Sequence, residues 1–146
     1  MKDKIFGYLK NGKNLDQISY LLIELLKEIH NEGNENIGYV CGVISSEGPE
    51  NIDKNLVRLE NYTEQIRKQY DYPIFSQNDI FTPVVYKIIK ESGATHDDFE
   101  KFYQKVHGSG LITYLFMTPK WELSKGATDE YKTAQRCGIK VVFIEK

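Results

Sequence analysis

Apolar residues recur at helical spacing between residues 15 and 31, where Leu15, Ile18, Leu22, Leu25, Leu26 and Ile29 share one stripe. Asn14 stands where an N-cap belongs and Gly33 where the helix would stop. The pattern then changes: IGYVCGVIS, 37 to 45, is almost free of charge and rich in β-branched and aromatic residues, so it predicts a buried strand. SSEGPEN reads as a loop, and a second amphipathic helix is expected over 51 to 70 with Ile52, Leu56, Leu59, Ile66 and Tyr70 inward. A short strand, DYPIFS, and a loop, QNDIF, follow. Thr82 and Pro83 form a cap and first-turn pair for a helix over 83 to 91. Thr95 caps another over 96 to 106, with Phe99, Phe102, Tyr103 and Val106 inside. LITYLFMT, 111 to 118, predicts a further apolar strand. The last stretch, KWELSKGATDEYKTAQRCGIKVVFI, reads as loop, helix and buried strand.

Apolar strands alternating with amphipathic helices indicate a parallel sheet covered on both faces. The expected fold is therefore α/β and Rossmann-like (flavodoxin-like), with four to five parallel strands, helices on both faces and an added N-terminal helix. One domain over 1 to 146 is expected, residues 1 to 36 forming the helical extension. The stripe of that extension needs a cover, from the core or from a second copy of the chain, which favours a homodimer.

Composition narrows the partners. Net charge is −2 with no block of like charges, which argues against a nucleic-acid polymer. No apolar run reaches the roughly 18 residues of a membrane span, and MKDKIFGYLKNGK lacks a signal-peptide core. Cys41 and Cys137 lie far apart, as reduced thiols do in a cytoplasmic protein, with Cys137 expected to pack. His30, His96 and His107 are scattered without metal-ligand spacing, and GSG at 108 to 110 precedes a strand. Neither a metal nor a dinucleotide cofactor is expected.

Chemistry concentrates in the last helix. Ala127, Tyr131 and Ala134 define its apolar stripe, and Glu130 falls among them. An unpaired buried carboxylate is costly, so either this stripe borders a cleft or the helical phase is wrong. Ligands in open parallel sheets bind beyond the carboxyl ends of the strands, and from early in its helix Glu130 can lean back toward that end. One reading makes it a nucleophile or a stabiliser of positive charge; the other makes it a first-turn acid serving the helix dipole. Glu122 reads as a surface acid, Trp121 as a base-stacking or a packing residue, and Asp79 as a sugar-hydroxyl ligand or a turn former.

The segment WELSKGATDEYKTAQRCG, 121 to 138, resembles the signature loop and helix of the nucleoside 2-deoxyribosyltransferase-like superfamily, which includes a 2′-deoxynucleoside 5′-monophosphate N-hydrolase branch. Trp121, Ser124, Gly126, Ala127, Glu130, Ala134 and Gly138 match together, and YVCGVIS, with Tyr39 and Gly42, resembles the family's opening strand. The resemblance implies that Glu130 attacks the anomeric carbon of a nucleoside sugar and that Tyr39 orients it. Gly42, Trp121, Ser124 and Gly126 would then contact a small nucleoside or nucleotide, Ser124 holding a 5′-phosphate in the hydrolase branch. Two features depart from the pattern. HGSGLITYL offers His107 and Ser109 where the family often has a base-contacting aspartate, and SSEGPEN lacks the arginine common in the hydrolase branch. The chain is therefore expected to cleave or transfer at an N-glycosidic bond or, alternatively, to bind nucleotides without turnover.

Overall fold

A computed structural model of the chain describes residues 1–44 and 47–145. Ser45 and Ser46, part of the expected SSEGPEN loop, lie outside the described residues, as does Lys146. Seven α-helices and four strands alternate along the described chain: α1 Lys2–Leu9, α2 Leu15–Asn31, β1 Gly38–Cys41, α3 Ile52–Gln69, β2 Ile74–Ser76, α4 Gln77–Ile80, α5 Pro83–Glu91, α6 His96–Gly108, β3 Tyr114–Met117, α7 Lys125–Cys137 and β4 Lys140–Phe143. The strands form one all-parallel sheet in the order β2-β1-β3-β4. This is the expected Rossmann-like α/β architecture. The order reverses at β1, since the chain leaves it for β2 on one side and later enters β3 on the other. That makes the end of the β1–β3 pair the topological switch point.

Strand periodicity splits the core in two. Tyr39, Cys41, Phe75, Leu115 and Met117 point to one face, where they pack with α1, α2, α5, α6 and α7. Val40, Ile74 and Phe116 point to the other and meet Leu59 and Ile66 of α3. The stripe of α2 is covered inside the chain: Leu22 and Leu26 are fully buried, and α2 packs on α1 and α6. The cover asked for by the sequence is thus supplied without a second copy.

Several elements differ from the pattern-based expectation. Lys2–Leu9 is a helix because Ile5 and Leu9, four apart, bury completely beside α2 and α4. QNDI is not loop but the helix α4, started by a capping box in which Ser76 and Asp79 satisfy each other's backbone N–H groups. On α3 the buried positions are Asn55, Leu59, Thr63 and Ile66 rather than Ile52, Leu56 and Tyr70. Asn55 and Thr63 can face inward because Asn55 donates to the Ile44 carbonyl and Thr63 to that of Leu59. β4 lies at the sheet edge and is half exposed rather than buried, and Cys137 is exposed rather than packed. Among the described residues no helix is long and apolar enough to cross a membrane.

Candidate active site around Glu130

The site begins with two periodicities. Tyr39 and Cys41 alternate along β1, so both side chains leave the same face of the sheet. Tyr103 and His107 are four apart on α6, so they share a face of that helix. α6 and α7 pack together, and α7 presents Ala127, Glu130, Thr133 and Ala134 as its buried stripe. Ala127 and Ala134 of the expected stripe are in it, whereas Tyr131 is only half-buried at its edge and Thr133 takes the inward position. Ser124 starts the helix by accepting from the Ala127 N–H at 3.1 Å, and Gly138 ends it at φ 73°, a left-handed position that suits glycine.

Glu130 sits where these elements meet, its side chain 10 % exposed. Cys41 Sγ donates to Oε2 at 2.8 Å, and His107 Nε2 lies 2.9 Å from Oε1. A carboxylate only accepts, so the His107 proton resides on Nε2 in the arrangement that satisfies both groups. Its Nδ1 is buried without a partner. The imidazole is clamped by two phenols: Tyr103 lies parallel to it at 6.1 Å between ring centroids, and Tyr39 meets it edge-on at 5.2 Å. Burial first, and the nearby Glu130 charge second, push the Cys41 thiol well above its ordinary pKa. Cys41 is thus held as a protonated donor rather than a thiolate. The same two causes, in the same order, raise the Tyr39 and Tyr103 phenols.

The structure places the other sequence-selected residues as follows. Tyr39 is beside the cluster, but the carboxylate's hydrogen bonds come from Cys41 and His107. Ser124 is buried as the cap of α7, six residues before Glu130. Gly126 is exposed, and a Cβ there would meet nothing nearer than Ser124 Oγ at 3.9 Å. Gly42 follows β1, where a Cβ would collide with Thr118 Oγ1 at the end of β3. Trp121 packs on Tyr131 and Phe143, with ring centroids at 4.8 and 5.8 Å. Glu122 is exposed. Asp79 is committed to structure, accepting from the Ser76 N–H and from Arg67, each at 2.9 Å. Ser109 donates to the Val106 carbonyl.

Sequence reasoning missed Cys41 and His107 as partners of Glu130. Signals for both existed: Cys41 is two residues from Tyr39 on a strand, and His107 one turn from Tyr103 on a helix. A cleft of about 350 Å³ lies elsewhere, between the start of α2 and α6, with Asp16, Ser19, Asp98, Lys101 and Lys105 on its walls. No family model, curated protein or solved structure matches the chain.

Proposed function

We propose that the chain acts at the N-glycosidic bond of a nucleoside or nucleotide, with Glu130 as nucleophile. The supporting observation is the position of its carboxylate. It is the buried acid at the carboxyl end of β1, beside the switch point, with each oxygen held by a separate donor. A carboxylate fixed from two directions is pre-oriented for attack on a carbon arriving from the third. In the reaction a Glu130 oxygen forms a bond to the anomeric carbon as the carbon–nitrogen bond breaks. The base departs with that electron pair and takes up a proton. Water, or a second base, then attacks the same carbon and releases the carboxylate. Oxocarbenium character builds at the sugar in both steps, and the nearby negative charge stabilises it.

Cys41 and His107 are the positioning residues in this scheme. Tyr39 acts through the ring of His107, and the exposed Gly126 backbone, placed by the buried Ser124 cap, is the part of the loop open to a ligand. A reducing, cytoplasmic setting suits the scheme because oxidation of Cys41 would remove a donor from Glu130. A second reading, binding without turnover, is favoured by one observation. The segment 107 to 115 carries no carboxylate to grip a base, and His107 is already committed to Glu130.

Incubation with a panel of deoxynucleosides and their monophosphates, followed by chromatography, tests the proposal. Free base should accumulate with the wild type and fall by several orders of magnitude with Glu130→Gln, assayed where that variant is folded. Equal rates in the two proteins would remove Glu130 from the chemistry. Tight nucleotide binding without base release would establish the second reading instead.

A further inference from the structure

We propose that the outer surface of the α6–α7 pair holds a divalent transition-metal ion of the zinc class. His96 and Glu100 are one turn apart at the start of α6, so their side chains project from the same face. Asp129 approaches from α7. One imidazole nitrogen and one oxygen from each carboxylate lie within 4.8 Å of one another. Three ligands about 2.0–2.2 Å from a tetrahedral zinc ion stand somewhat closer than that. Rotation of side chains that are exposed or half exposed closes the gap.

Charge supplies a separate argument. Among the described residues, neither Glu100 nor Asp129 forms a salt bridge to a lysine or arginine. The Glu100 carboxylate accepts one long hydrogen bond, from Gln104 at 3.3 Å. Two carboxylates converging with no lysine or arginine paired to either repel each other, and a bound dication reverses that interaction. Asp97 and Asp98 in the same first turn offset the positive end of the α6 dipole. The donor set selects the metal: imidazole with carboxylates suits zinc, cobalt or nickel, whereas magnesium and calcium take oxygen ligands. Three protein ligands leave a fourth position for water.

The ion would tie α6 to α7 on the outside, as His107 and Glu130 tie the same two helices on the inside. Asp129 adjoins Glu130, so metal occupancy would stiffen the turn that carries the buried acid. The site stands independently of any activity of Glu130.

The test uses the full chain, untagged and stripped with chelator, titrated calorimetrically with Zn²⁺ to about 100 µM, a range in which micromolar binding saturates. One equivalent should bind and raise the melting temperature, and Co²⁺ should give the visible absorption of a low-symmetry site. His96→Ala and Asp129→Asn should each weaken binding at least about tenfold and lose the thermal shift. Both should leave the melting temperature of the metal-free protein near that of the wild type. Ca²⁺ and Mg²⁺ should not compete. His30→Ala and Cys137→Ser, which alter other exposed potential ligands, should bind as the wild type does. Absence of Zn²⁺ binding, retention of full affinity in His96→Ala, or loss of it in Cys137→Ser would each overturn the site.

Discussion

Glu130 shows how a single buried acid is made tolerable. Its two oxygens accept from Cys41 and His107, so desolvation is offset by hydrogen bonds drawn from a strand and a second helix. Substitution by Gln is therefore not neutral for the fold, despite its equal size. The amide NH₂ faces the thiol or the imidazole: against the thiol or an Nε2–H it sets donor against donor, and bonding to a bare Nε2 moves the His107 proton to Nδ1, which has no partner. Glu130→Gln should lower the unfolding free energy by about 1–3 kcal/mol, read from urea denaturation with no ligand present. An unchanged midpoint would mean that the two hydrogen bonds do not hold the carboxylate. At this scale the sequence was half legible. Three- and four-residue spacing exposed Glu130 as an acid on an apolar stripe, because such periodicity depends on one helix alone. Its partners come from positions 89 and 23 residues away, and no local pattern encodes which strand and which helix will face α7.

Elements were legible where their ends carry their own chemistry. Asn14, Thr82 and Thr95 each cap the helix assigned to them, accepting from Gln17, Val85 and Asp98 respectively. α4 was missed because one turn is too short to show a period. The Ser76–Asp79 capping box was the available signal. Asp79 repays the oversight with a pH signature. Burial raises its pKa above the ordinary 3.8, outweighing the opposing Ser76 N–H and Arg67. A raised folded value means that the native state binds this proton more tightly than the unfolded chain does. Its contribution to stability is then fully present below 3.8 and is lost as pH rises through the folded value. Asp79→Asn cannot titrate. The stability difference, wild type minus Asp79→Asn, should accordingly fall as pH is raised from 3.8, measured by denaturation at a series of pH values. A difference that rises over that interval would show the Arg67 ion pair to dominate after all.

Across the molecule, fold class followed from alternation of apolar strands with amphipathic helices, while strand order, the edge position of β4 and the inward polar face of α3 did not. Those depend on contacts between distant segments and on polar residues that satisfy one another, to which hydrophobic periodicity is blind. The fold also places opposite demands on two glycines. At Gly42 a Cβ would press on Thr118, which is 5 % exposed and bonds the Cys41 carbonyl. Gly42→Ala should therefore destabilise by about 1–3 kcal/mol. Gly126 lies in the first turn of α7 with open space above it, and Ala there should stabilise by about 0.5–1 kcal/mol through helix propensity. Paired thermal melts check both signs. If Gly126→Ala also weakens nucleotide binding while the fold gains stability, that glycine serves the ligand rather than the helix.

Trp121 is the sole tryptophan in the chain, and its packing on Tyr131 of α7 and Phe143 of β4 gives the protein a built-in optical probe. Its emission reports on one corner alone, the junction of the Ser124 loop, the helix of Glu130 and the edge strand. Excited apart from the ten tyrosines, this indole distinguishes events that a global melt averages together. Loosening of α7 shifts its spectrum while the α2 side remains dark, so seating of a ligand or an ion on that helix can be followed in real time without a label.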